Sequence, residues 1–222
     1  MKPNWEKIFG FLCPEIHAWR TPWFLCFGSL LALIRDKKFG DDDLDIGMFY
    51  DRYEPQFIKN LCNGRGWEIH HKIVHDETRR ALYYSLVPQK DWQQVMGKIH
   101  VDLFCWYKWD GYYWHTYDVR MEEPKRGIPS MYTLKGIPCW MLDSGLVAWN
   151  GVGGTTMWVN VPLKYGSLFD NWYPPSDANP LGWIHPHKEI SDAPRIIEFK
   201  NFSDLENNKF TKVKWNESAS AQ

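Results

Sequence analysis

Hydrophobic and polar positions in the first half of the chain predict a strand, a helix and a strand, followed by several further strands. Residues 23–27 (WFLCF) are apolar throughout, as in a buried strand, and 29–38 carry leucine and isoleucine on one helical face. Gly and Asn mark the turns between the remaining segments. The predicted helices are 4–19, 29–38 and 53–62, and the predicted strands are 23–27, 45–50, 67–74, 80–87, 98–107 and 112–117.

This order of elements predicts an α+β fold, with a mixed β-sheet and helices packed on one side. A doubly wound parallel fold is disfavoured because the middle of the chain lacks helices between its strands. The second half is rich in Pro, Gly and Trp, and its elements are not predicted. Without a repeat or a long linker, the 222 residues are expected to form one domain (1–222), with a core at about 20–120, a second part at about 121–210 and a frayed polar tail at 211–222.

Composition excludes several classes of protein. With 44% hydrophobic and 17% aromatic residues the chain is not disordered, and a net charge of -1 excludes a global basic field for nucleic acid. Five cysteines without a CxxC pair favour a reducing compartment. The longest apolar run, 23–34, is shorter than the roughly 20 residues of a membrane span. We therefore expect no transmembrane segment, no nucleic-acid partner and a cytoplasmic location, with the inner membrane face as an alternative for peripheral association.

Four carboxylates crowd a short segment: Asp41, Asp42, Asp43 and Asp45. Two carboxylates 4 Å apart repel by about 4 kcal/mol at an effective dielectric of 20, so a structured cluster needs a cation or raised pKa values. In a strand, Asp43 and Asp45 project from the same face. Hard oxygen ligands favour Mg²⁺ or Mn²⁺. An acidic surface loop is the alternative interpretation.

Two further features support a site for a metal and an anion. Gly28 and Ser29 lie at a strand-to-helix turn, where free N–H groups bind phosphate, and Arg35 is two turns further along the same helix face. Asp102 is a lone carboxylate in the apolar strand segment IHVDLF. Because a buried unpaired carboxylate is costly, Asp102 is predicted as a third metal ligand beside Asp43 and Asp45.

These residues carry a family resemblance. Gly28-Ser29, followed by Asp43-Leu44-Asp45 and the apolar-flanked Asp102, is similar to the signature of the polymerase-β-type nucleotidyltransferase superfamily. The segments FGSLLALIRDKKFGDDDLDIGM, KIHVDLF and YGSLFDNWYPP more narrowly resemble the LicD-type phosphotransferase family, which includes the fukutin-related proteins. Phe39-Gly40 stands where family members commonly have Pro-Trp, and the chain shows no cysteine cluster like the zinc site of some relatives.

The resemblance implies a nucleotidyltransferase-like fold and an enzyme that transfers phosphocholine or a polyol phosphate to a glycan hydroxyl, as in lipopolysaccharide biosynthesis. The donor would be CDP-choline, CDP-ribitol or a similar CDP conjugate, CMP would be released, and residues 121–210 would face the acceptor. Asp43, Asp45 and Asp102 would bind Mg²⁺ or Mn²⁺. Gly28, Ser29 and Arg35 would bind phosphate, and either Asp102 or Asp42 would be the base.

Other interpretations remain open. The same superfamily includes enzymes that use an NTP to nucleotidylate a small molecule or protein, and a non-catalytic sugar- or choline-binding module would also explain many tryptophans. Core filling is the default for most of them: Trp106, Trp109, Trp114, Trp140, Trp149, Trp158, Trp172 and Trp183. Isolated candidates are interpreted as structural or loop residues: His70, His71, His75, His100, Lys125, Arg126, His185 and His187.

Overall fold

The fold was analysed in a computed structural model of the 222-residue chain. The structure describes residues 2–18, 22–39, 42–49, 56–75, 80–123, 128–150, 158–173, 195–199 and 211–213. It divides into two units. The first comprises Met1–Trp106 with Ser144–Leu163, and the second comprises Tyr107–Asp143 with Lys164–Gln222.

Helices and strands follow one another in a mixed order. The helices are α1 (Trp5–Ala18), α2 (Phe27–Asp36), α3 (Gln56–Gly64), α4 (Gln93–Met96, after a 3-10 turn at Lys90–Trp92), α5 (Trp140–Asp143) and α6 (Tyr165–Trp172). The strands are β1 (Trp23–Leu25), β2 (Asp43–Phe49), β3 (Trp67–His75), β4 (Arg80–Pro88), β5 (His100–Trp109), β6 (Tyr112–Glu123), β7 (Ile128–Pro138), β8 (Leu146–Asn150), β9 (Trp158–Pro162), β10 (Arg195–Phe199) and β11 (Thr211–Val213).

The sheet of the first unit is mixed. Its strand order is β1, β2, β5, β4, β3, and β2 and β5 run parallel while the other neighbours are antiparallel. The helices and the sheet together make the predicted α+β class correct. The parallel pair needs a long crossover between its strands, which α3, the β3–β4 hairpin and α4 supply.

Both faces of β2 are covered, and each face has its own character. Leu44, Ile46 and Met48 are fully buried on one face. On the other face, carboxylates occupy the beginning of the strand and Gly47 lies among aromatic rings. A Cβ atom at Gly47 would meet a ring carbon of Phe24 at 2.5 Å and Nε1 of Trp106 at 2.8 Å. The sheet thus carries a polar site beside a tightly packed aromatic cluster on one face.

Helix α2 packs its apolar stripe against β2, as the sequence pattern predicts. Leu30, Leu31, Leu33 and Ile34 are buried, whereas Arg35 is exposed. The helix ends where Lys37 adopts a left-handed backbone and donates its N–H to the carbonyl of Leu33. The apolar stripe therefore fixes the N-terminus of α2 next to the strand that carries the carboxylates.

The second unit is mainly antiparallel. Strand β6 pairs with β7, β7 with β10, and β10 with β11, and the last residues of β5 pair with β6. None of the strands after β6 was predicted, because Pro and Gly interrupt the alternation there. Thr211–Val213 form β11, so regular structure extends three residues into the segment predicted as a frayed tail.

Most boundaries differ from the predicted ones by one to three residues. Strand β1 ends at Leu25 and α2 begins at Phe27, two residues earlier than predicted. Strand β6 continues to Glu123, well past the predicted end at 117, because its pairing with β7 stabilises residues that the local pattern does not mark as strand.

Two further expectations concern cysteines and membrane spans. No disulfide bond joins the five cysteines, all of which lie in the described part of the chain. Within the described residues, no helix combines the length and apolar character that crossing a membrane requires.

Candidate active site

A row of polar residues crosses four adjacent strands of the first unit. Strand pairing places Asp45 of β2 opposite Asp102 of β5, Asp102 opposite Ser85 of β4, and Ser85 opposite His71 of β3. Residues directly opposite each other on neighbouring strands point to the same face of a sheet. The four side chains therefore lie on one face, although they are up to 57 positions apart in the sequence.

Three carboxylates converge at this row. Asp43 lies two residues before Asp45 and so shares its face, and each of Asp43, Asp45 and Asp102 offers one oxygen such that the three oxygens lie within 4.8 Å of one another. Asp45 is only 8% exposed, Asp102 is half-buried, and Asp43 is exposed. We call these three residues the carboxylate triad.

The N-terminus of α2 is bonded to the triad. The backbone N–H of Ser29 donates to Oδ2 of Asp45 at 3.2 Å, and the N–H of Gly28 also donates to that carboxylate. In return, the N–H of Asp45 donates to Oγ of Ser29 at 2.8 Å, and Oγ donates to the carbonyl of Asp43 at 3.4 Å. Helix N-terminal N–H groups stabilise negative charge, so this turn holds Asp45 in place.

The turn that carries these N–H groups has unusual backbone geometry. Phe27, the residue before Gly28, has a φ of 43°, in the left-handed region that bulky L-residues rarely adopt. Its ring packs edge-on against Phe104 and is stacked with Trp106. Strained backbone of this kind persists only where the surrounding packing over-determines it, and here two aromatic contacts do so beside the carboxylates.

Burial and repulsion between carboxylates raise the pKa values of two triad residues, Asp43 and Asp45. Desolvation, followed by the charge of Asp102, raises the pKa of Asp43 from 3.8 to about 6. Desolvation, followed by the charges of Asp43 and Asp102, raises the pKa of Asp45 well above its ordinary value, although the Ser29 and Gly28 N–H groups oppose that shift. The charge of His100 opposes the shift at Asp43 without cancelling it, so the pKa of Asp43 stays raised.

Asp102 is positioned by a tyrosine. The Tyr83 hydroxyl donates a hydrogen bond to the Asp102 carboxylate, and burial, followed by the negative charge of Asp102, raises the pKa of Tyr83. The Tyr83 ring packs against Phe104 at a centroid distance of 5.2 Å. Oδ1 of Asp102 is buried, and none of the described groups hydrogen-bonds to it.

These observations fit a divalent cation. A buried carboxylate oxygen without a hydrogen bond is costly unless another partner binds it. The Asp102 carboxylate contains such an oxygen and offers one of its oxygens within 4.8 Å of oxygens of Asp43 and Asp45. The donor set is entirely carboxylate, which suits Mg²⁺ or Mn²⁺ rather than softer metals.

An open pocket of about 360 Å³ lies beside the triad and is lined by two of its members, Asp43 and Asp102. Its volume is in the range of small-ligand pockets. The described residues that line it are Asp42, Asp43, His70, His71, Tyr83, Ser85, His100 and Asp102. Five of these were not among the predicted site residues: His70, His71, Tyr83, Ser85 and His100. The sequence analysis interpreted the three histidines as structural, although His100 lies two residues before Asp102 and therefore shares its strand face. The alternation of Tyr83 and Ser85 is too common to be specific.

The remaining predicted site residues have mixed outcomes. Asp42 is exposed and lines the pocket, and Asp41 lies outside the described residues. Gly28 and Ser29 adjoin the triad, but their N–H groups are engaged by Asp45 rather than directed to an open anion site. Their role in phosphate binding stays a prediction.

The structure does not bring Arg35 to the triad. Arg35 lies in the last turn of α2, about 10 Å along the helix axis from Gly28 at 1.5 Å per residue. Its guanidinium binds both carboxylate oxygens of Asp36, at 2.8 and 2.7 Å, on the protein surface. The prediction that Arg35 reaches the same site as Gly28 relied on their lying on the same face of the helix. It did not account for the length of the helix, because the triad lies beyond the opposite end from Arg35.

The tryptophan candidates divide between core and surface. Trp106, Trp114 and Trp172 are at most 4% exposed, as core filling predicts, whereas Trp140 and Trp158 are 53% and 60% exposed. Outside the residues or side chains that the structure describes lie Trp149, Trp183, His75, Lys125, Arg126, His185 and His187.

Comparison with known proteins finds similarity among solved structures, at low sequence identity. No protein-family model and no curated protein matches the chain. Among solved structures, the chain is similar to the lincomycin-bound lincosamide antibiotic adenylyltransferase LnuA, with a TM-score of 0.43 and 14% sequence identity. The match covers 81% of this chain and 93% of that chain.

Proposed function

We propose that the chain is a divalent-metal-dependent transferase that acts at a phosphorus atom of a nucleotide donor. The carboxylate triad is the observation that supports this proposal. Three carboxylate oxygens within 4.8 Å, two raised carboxyl pKa values and a buried oxygen without a hydrogen bond are together costly for the folded chain. A divalent cation removes all three costs at once.

In this proposal Asp43, Asp45 and Asp102 hold Mg²⁺ or Mn²⁺. When bound, the metal neutralises charge on the phosphate oxygens and orients them for in-line displacement. Gly28 and Ser29 fix Asp45 through their N–H groups, and Tyr83 orients Asp102 through its hydroxyl. Phosphoryl-type transfer needs mainly alignment and charge neutralisation from the protein, and these residues supply both.

The acceptor hydroxyl must lose its proton as its oxygen forms the new bond to phosphorus. Asp42 lines the pocket, is exposed, and stands next to Asp43 in the chain. Asp102 already accepts a hydrogen bond from the Tyr83 hydroxyl, and in this proposal it is a metal ligand. We therefore propose that Asp42, rather than Asp102, is the base that takes the proton of the acceptor hydroxyl.

Two donors fit this scheme. The LicD-type resemblance predicts CDP-choline, CDP-ribitol or a related conjugate, with the phospho-substituent passing to a glycan hydroxyl and CMP leaving. The broader superfamily resemblance predicts an NTP, with the nucleoside monophosphate passing to a small molecule or protein and pyrophosphate leaving. Adenylyl transfer, a reaction of the second kind, is what the printed name of the LnuA structure describes for that protein.

A panel of donors distinguishes these versions. The chain is incubated with CDP-choline, CDP-ribitol, CDP-glycerol, CTP and ATP, each with Mg²⁺ and with EDTA, and melting temperature is measured by thermal shift. Metal-dependent stabilisation by one CDP conjugate supports the phosphotransferase, whereas stabilisation by a triphosphate alone supports nucleotidyl transfer. Equal melting temperatures with Mg²⁺ and EDTA for every donor would refute the proposal.

A further inference from the structure

The pocket beside the triad needs hydrogen-bond donors for phosphate, and the predicted donors are engaged elsewhere. The Gly28 and Ser29 N–H groups bind Asp45, and the Arg35 guanidinium binds Asp36. Among the described residues that line the pocket there is no Lys or Arg. A nucleotide pyrophosphate presents more charged oxygens than one metal ion can bind, so further donors are required.

A β-bulge turns two neighbouring histidines toward this pocket. In the pairing of β3 with β4, Ile69 lies opposite Leu86 and His71 lies opposite Ser85, which leaves His70 as an extra residue. In a regular strand His70 and His71 would point to opposite faces. A bulge re-aims side chains and is frequent beside active sites, and both histidines line the pocket here.

A third histidine joins them from β5. His100 lies opposite Asp43 in the strand register, and its ring meets the ring of His70 edge-on at a centroid distance of 5.2 Å. All three histidines are exposed, and all three line the pocket. Among the described residues, the potential metal-ligand atoms that lie within 4.8 Å of one another belong to the triad, and none belongs to a histidine. His70, His71 and His100, which we call the histidine cluster, thus stand around the metal position rather than on it.

We propose that the histidine cluster is a phosphate-binding subsite of the nucleotide donor, in which imidazole N–H groups donate hydrogen bonds to phosphate oxygens that the metal does not bind. This inference rests on the proposed function of the triad. An imidazole keeps at least one N–H donor whether neutral or protonated. The carboxylates would hold the metal that binds some of the pyrophosphate oxygens. The imidazole N–H groups, whether neutral or cationic, would donate to the remaining oxygens.

Binding measurements on the full chain test this inference, with Mn²⁺ alone and inorganic pyrophosphate in the presence of Mg²⁺ as probes. Mn²⁺ binding is measured by electron paramagnetic resonance, and pyrophosphate binding by calorimetry. We expect His70→Ala and His71→Ala each to weaken pyrophosphate binding by about tenfold, as loss of a hydrogen bond to a charged group predicts. Mn²⁺ affinity should change much less, because the triad supplies the ligand oxygens and these residues do not.

Two controls separate the subsite from general effects. His17→Ala removes an exposed histidine from the end of α1, and Glu68→Ala alters an exposed position of β3, and neither residue lines the pocket. Both should bind pyrophosphate like the unmodified chain. His70→Gln keeps an N–H donor on a polar side chain and should bind pyrophosphate more tightly than His70→Ala, which a merely structural role for His70 does not predict.

Each outcome bears on a different proposal. Unchanged pyrophosphate affinity in both alanine variants, with Mn²⁺ binding intact, would overturn the histidine subsite and leave the metal site standing. Loss of Mn²⁺ binding together with pyrophosphate binding would also overturn it, because the histidines would then support the metal site itself. An unmodified chain that binds no Mn²⁺ would refute the proposed function and the subsite with it.

Discussion

Two clusters of charged residues in this protein show opposite electrostatics. The triad joins like charges, and burial and repulsion raise the pKa values of Asp43 and Asp45. In the second unit, Asp143 accepts hydrogen bonds from Lys108 at 2.7 Å and from Tyr113 at 2.8 Å, and the bond from Lys108 is the main reason that its pKa is lowered.

The comparison shows how a structural ion pair differs from a candidate binding site. In the Asp143 cluster the Lys108 ammonium neutralises the Asp143 carboxylate, so no bound cation is needed there. Because both side chains are exposed to solvent, the ion pair contributes little to stability. The triad instead brings like charges together in a partly buried place, where burial and repulsion raise the pKa values of Asp43 and Asp45. Carboxyl groups with raised pKa values beside a pocket are characteristic of functional sites.

The largest expected effect comes from Asp45→Asn, which removes one charge of the triad and keeps the shape of the side chain. We expect Mn²⁺ binding to be lost and turnover of the accepted donor to fall by at least about 100-fold, as for loss of a principal electrostatic element of a site. The melting temperature of the metal-free variant should rise, since a buried like charge is removed.

Calorimetric metal titration and steady-state kinetics measure these effects, with Asp143→Asn as the matched control. Near-normal turnover of Asp45→Asn would exclude the triad as the metal site. A metal-free variant less stable than the unmodified chain would show that Asp45 stabilises the fold by its charge.

A second prediction concerns pH. The pKa of Asp43 is about 6 in the folded chain against 3.8 as its ordinary value, so the folded state binds more protons between these values. The stability contribution of Asp43 is therefore full below pH 3.8 and is lost as pH rises through 6. Bound metal competes with protons and reverses this loss, so stabilisation by Mg²⁺ should be larger at pH 8 than at pH 5.

Thermal melts with and without Mg²⁺ at several pH values test this expectation. Asp43→Asn serves as the control, because it removes the titrating group and should flatten the dependence of metal-free stability on pH between 3.8 and about 6. The same Mg²⁺ stabilisation at pH 5 and pH 8 would contradict it.

A smaller effect is expected for Tyr83→Phe, which removes the hydroxyl that orients Asp102 and keeps the aromatic ring. Hydrogen bonds to charged groups contribute about 1.5–3 kcal/mol, so turnover should fall by at least about tenfold. The melting temperature should change little, because the ring contact with Phe104 remains. Kinetics equal to those of the unmodified chain would show that Asp102 needs no such support.

The smallest effect is expected for Lys108→Met, in the second cluster. The Lys108 ammonium is solvent-exposed, and water replaces its bond to Asp143 at little cost. Metal binding and turnover should be unchanged, and the change in melting temperature should be the least of the series. A loss of metal binding in this variant would mean that the two clusters are coupled, against the contrast drawn above.

Local sequence was sufficient for part of this site. The i, i+2 spacing of Asp43 and Asp45 determined that both point to one face of β2, and the apolar neighbours of Asp102 determined that it lies in a strand. The stripe of Leu30, Leu31, Leu33 and Ile34 determined the buried face of α2. Side-chain direction within one element follows from its period, which neighbouring residues alone set.

The tertiary structure alone decided the rest. Strand register placed Asp102 opposite Asp45, and a one-residue slip would have turned it to the other face. The bulge at His70 placed two adjacent histidines in one pocket, and the packing of α2 placed its N-terminus, rather than its last turn with Arg35, beside the triad. Register, bulges and helix packing are decided by the free energy of contacts between segments, and no local pattern in the sequence encodes that sum.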